Sequence, residues 1–360
     1  MSSVVQLAAA HRSAPAPRLA LLGTGVVGAA FVARYQRLQQ QGLPLPAFAW
    51  LANSRVLNDC DGAPVQAALD DARAALASTS DLPPWAETEA LRHGDVLVDA
   101  TASEIVADRH AEWLARGVHV VTANKLGSGA ESTRAGSIAD AVRASGARYG
   151  DSATVGAGLP LLRSLRALVA GGDRIHRVEG VLSGSLAWLF NHYDGMRPFS
   201  GFVREAREAG YTEPDPRLDL SGEDVRRKLL ILARAAGLSL SAEEVRVESL
   251  VPAELAALPV EELDGALDLL DAPLATRFKD AYRNGEKLRF LGRFDAQGAS
   301  VGLQALPADH PLCGGSGTDN RVAIFSDRYR DQPLLIQGPG AGAEVTAAAL
   351  LDDVLDIASR

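Results

Sequence analysis

Only two cysteines, Cys60 and Cys313, occur among the 360 residues, far apart and without metal-type spacing. They read as reduced thiols, not as a disulfide framework. The seven histidines show no paired ligand spacing, so no zinc site is expected. No apolar stretch approaches the ~20 residues that span a bilayer. A net charge of -9 comes with no Lys/Arg-rich run, which argues against nucleic acid and against an anionic membrane as partner. No solenoid-type repeat is present. Residues 1–17 lack the charged start and apolar length of a signal peptide, and their Ala-Pro-Ala-Pro suggests a flexible tail. Cytoplasm is the expected location.

What is present is enough for two domains with their own cores, at 47% apolar and 22% charged residues. Arg18 to Leu22 reads as a strand, Gly23-Thr-Gly-Val-Val-Gly28 follows at once, and a helical pattern runs from Ala29 to Gln40. Strand, G-x-G-x-x-G and helix in that order form the dinucleotide fingerprint. Gly23 allows the tight turn, Gly25 the close approach of pyrophosphate, and Gly28 the packing of helix on sheet. Thr24, Val26 and Val27 complete the turn, whose helix N-terminus faces the phosphates.

A second strand, Ala47 to Leu51, ends in Ala52-Asn-Ser-Arg55. The acidic residue that usually holds the ribose 2′-hydroxyl is missing there. Asn53, Ser54 and Arg55 point instead to a 2′-phosphate, hence to NADP, with NAD also accepted. Asp70 to Ala77 reads as an amphipathic helix. Asp95 to Asp99 and Val118 to Val121 are further strands, delivering Thr101 and Ser103 from the first and Asn124-Lys125 from the second. Ligands of open α/β sheets sit beyond such carboxyl ends. Glu131 to Ser145 reads as a helix and Ala147 to Tyr149 as a strand leaving the domain.

The rest is organised around Gly210 to Arg234. Pro214 and Pro216 stiffen a loop that carries Glu213, Asp215 and Asp219. Ser221 reads as the N-cap of a helix from Glu223 to Ala236, which places Asp224 and Lys228 on one face. Several carboxylates and one ammonium gather there, as an active site or as an ordinary capping box with an exposed ion pair. Upstream, Arg174 to Leu182 reads as a strand and Ser183-Gly184-Ser185 as the opening of a helix to His192, a ready anion site. Phe199 to Ala209 makes another helix, and residues 239–273 suggest short covering helices. Strand-like runs follow at 288–294, 300–306 and 320–325, the kind that often build a subunit interface. The chain closes with Leu334 to Ile336, the run Gly338-Pro-Gly-Ala-Gly342 and a helix to Ile357.

Gly210-Tyr-Thr-Glu-Pro-Asp-Pro, with Asp219-Leu-Ser-Gly-Glu-Asp-Val-Arg-Arg-Lys228, resembles the signature of homoserine dehydrogenases. The resemblance runs from about Leu19 to the C-terminus and is strongest to the dehydrogenase halves of bifunctional aspartokinase–homoserine dehydrogenases. It implies an α/β fold: a Rossmann-type dinucleotide-binding domain at 18–150, completed by 335–360, and an α+β catalytic and dimerisation region at 151–334. It implies NAD(P)H-dependent reduction of L-aspartate 4-semialdehyde to L-homoserine by a homodimer. Lys228, Asp224 and Lys125 become the catalytic set, with Lys125 also touching the cofactor. Glu213, Asp219, Gly184 and Ser185 become the substrate set, and Gly340 approaches the nicotinamide end. The resemblance further implies a Na+ or K+ on the carbonyls of Val155, Ala157 and Leu159 with one acidic side chain. Ser152 stands where that acid is expected and Asp151 one residue further off, so a Gly-rich hinge is the competing reading. With no regulatory segment evident, little inhibition by threonine is expected.

Two other functions compete. A nucleotide sensor that has lost its chemistry should have lost Lys125, Asp224 or Lys228, and all three are here. A phosphorylating semialdehyde dehydrogenase needs a nucleophilic cysteine, and neither cysteine adjoins a histidine at plausible spacing.

Overall fold

The computed structural model describes residues 16–359 except 61, 63, 77–82 and 87–89. Residues 1–15 of the expected tail, and the end of the helix expected to reach Ala77, lie outside the described residues. Within them the chain builds two six-stranded sheets.

The first holds β1 (Arg18–Leu22), β2 (Ala47–Ala52), β3 (Leu57–Asp59), β4 (Val96–Asp99), β5 (His119–Thr122) and β6 (Tyr149–Gly150), in the order β3-β2-β1-β4-β5-β6. Every pair is parallel except β2 with β3. Leu19, Leu21, Val96 and Val98 are buried on one face, and Ala20, Leu22, Leu97 and Val120 on the other. A parallel sheet covered on both faces demands such continuous apolar runs. Strand order reverses between β1 and β4, so the crevice for a ligand opens at Gly23 and Thr101.

The helix after β1 runs Val26–Gln40, three residues earlier than its apolar pattern suggests, because Gly25 already serves as N-cap. The helix expected at 70–77 is in fact Val65–Ala74. Pro64 sets its start, and Val65, Ala68, Leu69 and Ala72 form its buried face. Helices Glu104–Ala115 and Leu161–Ala170 had no distinct signal in the pattern.

The second sheet holds β7 (Ile175–Val181), β8 (Val245–Val247), β9 (Glu286–Asp295), β10 (Gly298–Pro307), β11 (Asp319–Ser326) and β12 (Leu334–Pro339), in the order β12-β11-β7-β9-β10-β8. One face meets helices Leu161–Ala170, Gly184–His192, Phe199–Glu208 and Glu223–Ala235 in the largest core. The other carries a small apolar cluster of Val181, Leu291, Leu312, Ala323 and Phe325. Residues 239–286 supply β8, several single-turn helices and the longer helix Asp271–Arg283.

β12 stays in the second sheet, and the final helix Ala343–Ala358 alone returns to the first. Its Leu350, Leu351 and Val354 share a core with Leu21 and Phe31. Among the described residues no helix is long and apolar enough to cross a membrane.

Candidate active site

A cleft of about 400 Å3 lies at the switch point, lined by Gly23, Asn53, Ser54, Thr101, Ser103 and Trp85 among others. Five residues singled out for the cofactor thus converge. Gly23 has φ +101°, and a Cβ there would stand 2.7 Å from the Ala100 carbonyl oxygen, so only glycine fits this turn. At Gly25 nothing lies within 4 Å of a Cβ position. The open space sits directly before the helix start, where free N–H groups favour an anion.

Several of these side chains build the cleft rather than project into it. The Asn53 amide donates to Thr24 Oγ1 at 2.9 Å and to the Ala72 carbonyl at 2.7 Å. Its Oδ1 accepts from the N–H groups of Arg55 and Val56. Ser103 caps helix Glu104–Ala115. Arg55 is exposed, loosely held by the last carbonyls of helix Val65–Ala74 at 3.3–3.4 Å. Gly340 packs so tightly on the Asn320 side chain that a Cβ would overlap it.

Beyond the cleft, past β5, a row of charges forms. Asp224 Oδ2 lies 2.8 Å from Lys228 Nζ and its Oδ1 lies 3.3 Å from Lys125 Nζ. One carboxylate therefore joins the two lysines across a gap of about a hundred residues of chain. Burial alone would raise its pKa, but the two ammonium groups outweigh that and hold Asp224 far below the ordinary carboxylate range. Lys228 is 8% exposed and also donates to the Leu182 carbonyl at 2.7 Å. That carbonyl, just past β7, had no signature in the sequence. Lys125 is more open and begins the short helix Leu126–Gly129.

The N-cap of helix Glu223–Ala235 is Gly222, not Ser221. Residues 217–220 are themselves a short helix, and the chain turns into the next through Gly222 at φ +80°. A Cβ at Gly222 would also stand 2.9 Å from the Phe290 ring. Ser221 precedes that turn, donating to the Leu218 carbonyl and accepting from the Glu223 N–H. The loop before it is fastened by Arg217, which pairs with Asp215 at 2.8 Å and donates to the Leu258 carbonyl at 2.6 Å. The covering segment thus holds the loop in place.

Asp219 and Ser185 meet at 2.7 Å, and Ser185 Oγ lies 2.8 Å from Ser183 Oγ, the cap of helix Gly184–His192. The other Asp219 oxygen accepts from the Glu213 N–H at 2.9 Å, which leaves the exposed Glu213 carboxylate facing outward. Burial raises the Asp219 pKa, against these hydrogen bonds. Gly184 lies against the Thr318 carbonyl. Both cysteines are buried free thiols, and burial pushes Cys60 up to about 11, so neither is primed as a nucleophile.

The donors around residues 155–159 do not fit a monovalent cation. Ser152 Oγ donates to Asp353 at 2.8 Å, and Arg163 donates to the same carboxylate at 2.8 Å. Asp151 is bound by both Arg166 nitrogens at 2.6 and 2.7 Å. The Leu159 carbonyl accepts from the Leu161 N–H. Only the carbonyls of Val155 and Ala157 remain from the expected set, with each nearby carboxylate already neutralised by an arginine. Among the described residues no group of three or more acidic, His or Cys side chains could hold a metal.

The chain matches two family models, the homoserine dehydrogenase NAD-binding domain over residues 23–150 and homoserine dehydrogenase over residues 160–355. It is 39% identical over 274 residues to the homoserine dehydrogenase of Schizosaccharomyces pombe, covering 74% of this chain and 73% of that one. It is 46% identical over 267 residues to a chloroplastic bifunctional aspartokinase/homoserine dehydrogenase of Zea mays, covering 73% of this chain but only 29% of that protein's length. A solved Candida auris protein of unknown function is similar in structure, with TM-score 0.84, 36% identity and coverage of 96% and 99%. A hyperthermophilic archaeal homoserine dehydrogenase solved with NADPH shares the fold, with TM-score 0.71, 18% identity and coverage of 94% and 97%. By both family models and the fission-yeast relative, this chain belongs to the homoserine dehydrogenase family.

Proposed function

We propose that the chain catalyses NADPH-dependent reduction of L-aspartate 4-semialdehyde to L-homoserine, and the reverse. The observation that carries this reading is Asp224 between two lysines, one of which, Lys125, follows Asn124, whose amide is bound to the carbonyl of the cleft residue Ser103. When bound, the reduced nicotinamide supplies a hydride to the aldehyde carbon. The chain's task is then to place that carbon and to give a proton to its oxygen. Lys228 has three N–H donors, of which one goes to Leu182 and one to Asp224. The third is free for the developing alkoxide. Lys125, held by the other oxygen of Asp224, polarises the same carbonyl. The outward Glu213 carboxylate and the Ser185–Asp219 pair take the substrate's ammonium group, while the N-terminus of helix Gly184–His192 takes its carboxylate.

Arg55, exposed at the end of β2 where no acidic residue stands, supports NADPH over NADH. The donor set at 151–159 supports activity without Na+ or K+. Edge strand β12, whose Leu335 is exposed, supports a homodimer. Free buried thiols suit the cytoplasm. Initial rates of NADPH oxidation with aspartate semialdehyde test the reading. A purified, folded protein that consumes no NADPH would sink it.

A further inference from the structure

Asp99 closes β4 with no solvent exposure, and its two oxygens serve both turns that meet at the cleft. Oδ1 accepts from the Thr101 N–H at 2.9 Å and from the Thr101 hydroxyl at 2.6 Å. Oδ2 accepts from Thr122 Oγ1 at 3.3 Å, and Thr122 Oγ1 accepts from the N–H of Asn124, next to Lys125. The Asn124 amide then reaches back to the Ser103 carbonyl at 2.8 Å. Cofactor turn and lysine turn are thus tied to one carboxylate.

Behind it lies His110, also fully buried, with Nε2 3.0 Å from Asp99 Oδ2 and Nδ1 3.1 Å from the Tyr149 hydroxyl. A carboxylate accepts, so Nε2 donates to Asp99, and Nδ1 pairs with the phenol. Burial pushes Tyr149 well above the ordinary phenol range, so the phenol keeps its proton. Gly127, two residues after Lys125, rests on both rings: a Cβ there would overlap the Tyr149 hydroxyl and stand 2.9 Å from His110 Nδ1. Asp99, His110, Thr122 and Asn124 are buried and Thr101 and Tyr149 half-buried, and their side chains are hydrogen-bonded to one another or to backbone, the condition under which such a network rigidifies what it touches.

We propose that His110 is a positioning residue for hydride transfer. Through Asp99 it holds the Thr101 and Thr122 turns, and through Tyr149 it backs the Gly127 turn that follows Lys125. The inference rests on the dehydrogenase reading above, but cofactor binding can be read without turnover.

The test compares His110→Leu, His110→Gln and Tyr149→Phe with wild type. The measurements are kcat, both KM values, Kd for NADPH by fluorescence titration, and the isotope effect on kcat with cofactor deuterated at the transferred position. In His110→Leu we expect kcat to fall about 10-fold, Kd for NADPH to rise about 5-fold and the isotope effect to grow, because misplaced reactants slow the transfer itself. The semialdehyde KM should stay within about two-fold. His110→Gln, which still offers an N–H towards Asp99, should recover most of the loss. Tyr149→Phe should move the same quantities in the same direction by about three-fold. A His110→Leu protein that melts earlier yet keeps kcat, Kd and isotope effect would overturn the proposal. Where His110→Leu does not fold, unchanged values in Tyr149→Phe overturn it equally. A wild type inactive on the semialdehyde would refute the dehydrogenase reading alone, and the NADPH titrations would still decide the role of His110.

Discussion

The two walls of the proposed site differ: around the cofactor cleft, polar side chains hold the protein's own backbone, and in the cluster of Asp224, Lys125 and Lys228, charged side chains hold one another. Asn53, Asp99, Thr122 and Ser103 each spend their hydrogen bonds on turns or helix starts. Such groups shape a surface and leave recognition to backbone N–H groups, the helix N-terminus and the exposed Arg55. In the charge cluster, Asp224 is shared by two lysines, and its side chain is still 42% open. A charge cluster left partly open has spare donors and must be completed by something else. The first wall is therefore finished without a ligand, while the second is poised for one.

Breaking the second wall should cost most. Lys228→Ala removes the donor with a free N–H, and kcat should fall about 10^3-fold, within the range for general acid–base groups. NADPH affinity should be unchanged, because Lys228 lies outside the cleft at β1 and β4. Stopped-flow and binding measurements on folded protein check this. Near-normal turnover would reduce Asp224–Lys228 to a structural ion pair.

Two carboxylates five residues apart sharpen the contrast through pH. Asp224 has a folded-state pKa below that of the unfolded chain. It stabilises the fold above about pH 4 and loses that contribution as pH falls further. Asp219 is raised. Its contribution is present below about pH 4 and is lost as pH rises through the raised value. Asp224→Asn should therefore flatten the fall in Tm on acidification, and Asp219→Asn should steepen it. Asp224→Asn should also lower kcat about 100-fold, since Lys228 loses its orienting partner. Melting curves from pH 3 to 7 that run parallel to wild type in both variants would refute the assignment.

The first wall should yield less. Arg55→Ala should lower kcat/KM for NADPH about 10-fold and leave NADH within about two-fold, the size of one exposed charge-assisted contact to phosphate. Equal losses with both cofactors would mean that Arg55 supports the end of helix Val65–Ala74, whose carbonyls it touches, and does not read the 2′-position.

What could be read from the chain followed the same division. The glycine turn was legible because its demands are local: positive φ at Gly23 and close packing at Gly28 leave marks in sequence. Asp224 and Lys228 were legible because helical spacing sets them side by side. The Lys125–Asp224 contact and the Leu182 carbonyl were not, since long-range packing alone brings them in. Nor did Asn53 reveal that its amide is consumed inside the fold. Ser221 looked like a cap because a capping pattern does not say where the chain must turn left-handed, and Gly222 takes that place. The helix near residue 70 begins earlier than its amphipathic pattern suggests, because Pro64 marks its start.

The smallest effect expected concerns the monovalent cation, where the prediction is near-equality. A cation held by carbonyls and one acid needs that acid to be free. Here Ser152 replaces it, and the buried carboxylate bound to Ser152, that of Asp353, already takes Ser152 N–H at 2.9 Å, Ser152 Oγ and Arg163. Asp151 is neutralised by Arg166, and burial does not prevent it, because the pair is bidentate. Bringing a further positive charge beside two guanidinium groups costs electrostatic energy that two remaining carbonyls do not offset. At fixed ionic strength, kcat/KM in sodium, potassium and tetramethylammonium chloride should agree within about two-fold, and Tm should not respond to the choice of cation. A rate about 10-fold lower in tetramethylammonium, restored saturably by potassium together with a rise in Tm, would show that the Val155 and Ala157 carbonyls bind the ion without the acid.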